Sequence, residues 1–169
     1  MKRIFFFLVS FFSCYILFGQ TNEFELKVTF KPFKNQFIYL GYYYGKQKPV
    51  VDSVKLDNNS FGIFKKDKKL EKGIYLIGYP DKSGYFELLI DKEQKFSVFA
   101  DTVNLLNNLR FEGSPDNDLF LQYQKFTSEK GKEIENAKTK LAAATTKEDS
   151  AKLRTVIDKA GKEIQKNRF

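Results

Sequence analysis

Few residues in this chain are equipped for covalent chemistry. Cys14 is the only thiol among 169 residues, and histidine and tryptophan are absent. Without Cys14 the chain can support no thiolate attack, no Cys-His dyad, no Ser-His-Asp triad and no zinc site of the usual ligands. Oxygen chemistry is what remains. Glu87 and Asp91 flank an apolar run and would be a carboxylate pair for glycoside hydrolysis. Such pairs arise by chance in a chain with 21 Asp+Glu, and the sequence does not set their separation. Asp57-Asn58-Asn59 and Asp116-Asn117-Asp118 offer oxygens that calcium accepts. Neither fits the spaced calcium loop with its glycine and its final glutamate. The first reads as a turn and the second as a helix start. Ser53 or Ser60 with a lysine base has no motif around it. These residues therefore point to no enzyme activity, no metal and no cofactor.

The fate of Cys14 depends on its surroundings. Met1-Lys2-Arg3 is a short basic start, and residues 4–18 are apolar except for the small breaks Ser10, Ser13 and Cys14. That layout is a secretory signal peptide over residues 1–19, cut after Gly19, and Cys14 leaves with it. The alternative is cleavage before Cys14 and lipidation of its thiol. Phe11-Phe12-Ser13 fits a lipidation site poorly, which favours removal. The apolar stretch falls short of the ~20 residues that span a bilayer, and no second one follows. The mature chain is expected to have no transmembrane span and to lie in the periplasm or cell envelope, soluble rather than anchored. The formal charge of +8 would suggest nucleic acid in a cytoplasmic protein. For an exported one, no nucleic acid is expected; an anionic envelope surface is the better partner. The blandest explanation is that mixed charges keep the surface wet.

The elements that would hold any site follow from periodicity. Phe24, Leu26, Val28 and Phe30 alternate with charged and hydroxyl residues, the pattern of a half-buried strand over 23–31. Further strands are predicted over 36–44, 50–56, 60–64, 73–79, 85–90, 94–100 and near 109–112, separated by turn residues; 65–72 is a lysine-rich connection. Seven or eight short strands joined by tight turns predict an antiparallel β-sandwich or open barrel over 22–112. The period then changes to that of a helix. Ser114-Pro115-Asp116 is a helix start, Gly131 is a weak point, 142–145 is a break, and Thr146-Lys147-Glu148-Asp149 resembles a capping box. The fold class is α+β, with two long amphipathic helices forming a hairpin over 114–169.

Two surfaces are candidates for contact. Tyr39, Tyr42, Tyr43 and Tyr44, with Lys46 and Lys48, would make an aromatic platform for a glycan, since tyrosine offers a flat apolar face and a polar tip. Strands are enriched in such residues anyway. The helix stripes, Phe126, Ile134 and Leu141 on one and Leu153, Ile157 and Ile164 on the other, want a partner. That partner is a downstream domain or a second copy of the chain, unless the stripes pack on each other or across the sheet. The last residue, Phe169, follows a helical run with no stop signal, which is the expectation for a chain cut within a longer protein.

Several short runs, taken in order, resemble a known family: Phe37-Ile38-Tyr39-Leu40, Asp52-Ser53-Val54, Asp57-Asn58-Asn59-Ser60-Phe61, Gly73-Ile74-Tyr75-Leu76, Phe86-Glu87-Leu88-Leu89-Ile90 and Phe111-Glu112-Gly113-Ser114-Pro115-Asp116-Asn117. The family is the β-rich N-terminal domain of unknown function that precedes a thioredoxin-like domain in envelope proteins of the TlpA/AhpC type. The resemblance covers nearly all of the mature chain. It implies that redox work belongs to a Cys-x-x-Cys in a C-terminal thioredoxin fold, which no residue here matches. The expectation is a non-catalytic accessory module that positions a redox domain or binds a partner. The alternative is a free-standing envelope protein that binds a glycan or a small apolar ligand; a hydrolase ranks third.

Overall fold

The computed structural model describes residues 23–167; the expected signal peptide over 1–19, with Cys14, and the terminal Phe169 lie outside the described residues. Eight strands form two four-stranded sheets that face each other as a sandwich and do not close into a barrel. The first sheet has the order β4-β1-β7-β8, with β1 at Phe24–Lys31, β4 at Phe61–Lys66, β7 at Lys95–Asp101 and β8 at Arg110–Glu112. The second has the order β3-β2-β5-β6, with β2 at Phe37–Tyr42, β3 at Val50–Lys55, β5 at Gly73–Gly78 and β6 at Tyr85–Ile90.

Alternation in β1 does what its sequence requires: Phe24, Leu26, Val28 and Phe30 are all fully buried. They meet Ile38, Leu40, Ile77, Phe86, Leu88 and Ile90 of the facing sheet in one continuous core. Each such side chain contributes roughly 1.5–3 kcal/mol by leaving water. Phe30 sits at the centre of an edge-to-face group, with ring centroids 5.0 Å from Phe33, 5.2 Å from Tyr79 and 5.3 Å from Phe86. One pairing differs from the expected antiparallel pattern. β1 and β7 run parallel, with Leu26 opposite Phe96 and Val28 opposite Val98. The whole second sheet lies between them in sequence. A connection of that length permits the parallel direction that a tight hairpin forbids, and alternation within a strand does not encode its partner's direction.

The chain changes sheets between β3 and β4. The Asp57 carboxylate accepts from the backbone N–H of Asn59 at 2.7 Å and of Phe61 at 2.9 Å, closing the turn. Ser60 takes a left-handed conformation, with φ 64°, and its carbonyl accepts from the Phe30 N–H at 2.8 Å. The lysine-rich connection is pinned by a buried carboxamide. Gln94 accepts from the Leu70 N–H at 3.0 Å and donates to the Asp91 carbonyl at 2.7 Å. A short 3₁₀ turn at Thr102–Asn104 and the helix α1, Leu105–Asn108, precede β8; the hydrophobic pattern does not predict either.

Two long helices follow, α2 at Pro115–Ala142 and α3 at Lys147–Lys166. α2 runs unbroken through Gly131. Thr146 caps α3, accepting from the Asp149 N–H at 3.1 Å while its hydroxyl donates to the Asp149 carboxylate at 2.6 Å. The first turns of α2 lie between β6 and β8, the edge strands on the same side of the two sheets. There Asn117 is fully buried. Its carboxamide accepts from the Leu89 N–H at 2.7 Å and donates to the Leu89 carbonyl at 2.8 Å, as a neighbouring strand would. It also donates to the Ser114 hydroxyl at 2.9 Å. Leu121, one turn on, enters the sandwich core. No helix among the described residues is long and apolar enough to cross a membrane.

Asn117→Ala removes the partner of both Leu89 backbone groups at a buried site. Each orphaned group costs ~1–3 kcal/mol, so urea unfolding should show a loss of at least ~2 kcal/mol. A loss below ~0.5 kcal/mol contradicts the role given to this side chain.

Candidate functional site

The four tyrosines singled out in the sequence do not act together. The strand alternation and a register shift between Leu40 and Gly41 distribute them. Gly41 is required at that shift, because a Cβ there would sit 2.9 Å from the Pro49 carbonyl oxygen. Tyr42 turns inward, packing against the core with its ring 6.1 Å from that of Tyr75. Tyr44 pairs with Gln47 in a narrow hairpin and is 69% exposed. Tyr39 and Tyr43 remain on the outer face of the β3-β2-β5-β6 sheet.

On that face Tyr43 meets residues the sequence kept far apart. Its hydroxyl donates to the Glu87 carboxylate and lies 3.4 Å from the Tyr85 hydroxyl. Lys48, from the 43–49 hairpin, donates to the Tyr85 oxygen at 2.7 Å, and its ammonium sits 4.3 Å from the Tyr85 ring centroid and 5.6 Å from that of Tyr43. β5 lies between β2 and β6, so the Tyr43 side chain spans it to reach Glu87. Leu76, in the row between Gly41 and Glu87, is buried there although it lies outside the central core. Beyond β6 a groove of about 430 Å³ is lined by Tyr85, Glu87, Leu105, Leu106, Gln124 and Thr127.

The electrostatics separate the two phenols. Desolvation, followed by the hydrogen bonds to Glu87 and Tyr85, pushes Tyr43 far above the ordinary phenol value. The Lys48 hydrogen bond, with that of Tyr43, holds Tyr85 below it. Glu87 is thus engaged by a phenol rather than by Asp91. Four residues along an extended strand separate two side chains by roughly 13 Å, wider than the ~5–9.5 Å span of glycosidase carboxylates. Asp57 is occupied by its turn and Asn117 by Leu89, and no group of three His, Cys, Asp or Glu gathers among the described residues. Tyr85 and Glu87 were missed as partners of Tyr43 because the grouping comes from sheet order.

The helix stripes meet in a hairpin. Phe126, Ile134, Leu141, Leu153, Ile157 and Ile164 are each half-buried, and only Ala137 and Ala160 are buried along the paired stretch. Lys130 bridges the helices, 2.6 Å from Glu163 and 3.0 Å from Glu133. The Glu163 and Glu133 hydrogen bonds raise the Lys130 pKa, and Lys130 lowers that of Glu163.

Residues 24–120 match the model of a family described as a domain of unknown function, DUF4369. The chain belongs to this family. The match starts with β1 and ends just past Asn117, so the DUF4369 unit is the sandwich together with the first turns of α2 that latch onto it. No curated protein and no solved structure matches the chain.

Ultraviolet titration of the phenols tests the network. Lys48→Met should raise the pH at which Tyr85 ionises, and Tyr85→Phe should remove an early-ionising phenol from the wild-type curve. Tyr43→Phe should instead remove a phenol that stays protonated longest. Identical early phases in wild type and Tyr85→Phe contradict the assignment.

Proposed function

We propose that this chain is a non-catalytic module of an exported protein, in which the DUF4369 sandwich is a base and the α2-α3 hairpin is an arm that sets the distance to a second folded unit. By the residue-level resemblance, that unit is a thioredoxin-like thiol-disulfide oxidoreductase domain. The observation that carries the reading is the way the arm is attached. α2 is held to both edge strands by a buried carboxamide and by Leu121, whereas its far half has α3 as its principal neighbour.

A 28-residue helix is about 42 Å long at 1.5 Å per residue, and the sandwich holds only its first turns. The rest is stiffened by the Lys130–Glu163 bridge and by the Thr146 cap. The stripe residues stay half-open along that length, which leaves apolar surface for a partner. The basic, then apolar, start of the sequence supports export. The mature chain that such export leaves contains no thiol, so it would contribute position and contact while the partner contributes the redox couple.

The coding sequence beyond the Phe169 codon tests this directly. The reading expects an open frame that continues into a domain with a Cys-x-x-Cys. A stop codon at that point contradicts it.

A further inference from the structure

We infer that the outer face of the β3-β2-β5-β6 sheet is a carbohydrate-binding platform, with Tyr39, Tyr43 and Tyr85 as its stacking surface and Lys48, Lys82 and Glu87 as its polar rim. The inference is independent of the positioning role.

Three observations converge. The first is that these aromatics are fixed without being buried, Tyr39 half-buried and the other two exposed. Tyr43 is 37% and Tyr85 40% exposed, but Glu87 holds the Tyr43 hydroxyl, Lys48 holds that of Tyr85, and the Lys82 ammonium lies 4.9 Å from the Tyr39 ring centroid. The sandwich core is on the other face, and Leu76, buried in the row that Tyr43 spans, does not account for the order at Tyr85 and Tyr39. Rings already held in one orientation lose little freedom when a ligand arrives.

The second is continuity. Tyr39, Gly78 and Tyr85 form one row across β2, β5 and β6. The flanking Cα atoms are about 10 Å apart, two strand spacings. A side chain at Gly78 would stand between the rings. With glycine there, the Tyr39 side chain leans over bare backbone: a Cβ would lie 3.5 Å from its Cβ and 3.9 Å from its ring. The result is a strip with a tyrosine on either side of bare backbone.

The third is the mixture of polar groups. A pyranose has an apolar C–H face for an aromatic ring, and hydroxyls that both donate and accept. The strip supplies ammonium donors at Lys48 and Lys82, a carboxylate acceptor at Glu87 and amphoteric phenols between them. A protein partner fits less well, because covering three charged groups with protein strips their water without assured replacement. Sugar hydroxyls replace that water and leave the edges wet. A polyphosphate backbone is disfavoured by the Glu87 carboxylate beside Tyr43 and Tyr85.

Native affinity gels containing laminarin, xylan or polygalacturonate test the inference on the full chain. At least one polysaccharide should retard the protein. Tyr85→Ala should weaken that retardation about tenfold or more, as expected for a central aromatic contact. Tyr44→Ala, in the hairpin outside the strip, should leave it within about twofold. Circular dichroism on each variant verifies that it is folded, and Tyr85→Phe, which keeps the ring, should retain most of the binding. Retardation by none of the three, or equal retardation of wild type and a folded Tyr85→Ala, overturns the inference. So does Tyr85-dependent dimerisation in sedimentation without retardation, which would assign the face to a protein partner.

Discussion

The arrangement beyond the sandwich depends on one carboxamide. Asn117 sits where an edge strand would otherwise present an unpaired N–H and C=O, and it satisfies both at once. An open edge invites further strands, and here a helix closes it. The same contact fixes where α2 starts and in which direction it leaves. Leu121 then seats one turn of the helix in the core, and everything further along α2 and α3 inherits that direction. Gln94 uses the same chemistry on a smaller scale, holding the irregular 67–72 segment to the end of β6. In both places a neutral amide does what a carboxylate cannot, since it donates and accepts at the same site.

This division of labour explains why the molecule has two kinds of surface. Inside, large apolar residues from both sheets form one core, and buried polar groups are few and paired. On the outer face of the second sheet, aromatic and charged residues are ordered without being buried. Tyr43 and Tyr85, side by side, are driven in opposite directions, the first upward by desolvation and then by its Glu87 hydrogen bond, the second downward by Lys48. Networks of this kind fix geometry more than they add stability, because exposed ion pairs contribute little. The arm offers the complementary case, with apolar stripes that the hairpin covers only in part.

Much of the fold was legible in the sequence because it is local. The alternation in residues 24–30 dictates β1, and the shift to a period near 3.6 after Pro115 dictates α2. Ser-Pro at 114–115 and Thr146 mark where helices begin. What was not legible is set by distant pairing. The parallel match of β1 with β7 leaves no trace in either strand. Tyr43, Lys48, Tyr85 and Glu87 meet because β5 lies between β2 and β6, and spacing alone grouped Tyr43 with Tyr42 and Tyr44 instead. Asn117 looked like a helix-start residue beside two aspartates. Its partner, the backbone of Leu89, is a group every residue has, so no side-chain pattern could announce it. The short α1 escaped for a different reason: four residues are too few to show a period.

The most direct measurement is the distance between the sheet and the arm. Spin labels placed through Ser53→Cys and Arg154→Cys, in a Cys14→Ser background, report it by double electron–electron resonance. A rigidly latched arm predicts one narrow distance distribution, which broadens when Asn117→Ala is added to a still-folded chain. A distribution that is already broad with Asn117 in place, or one that stays equally narrow without it, would contradict the account.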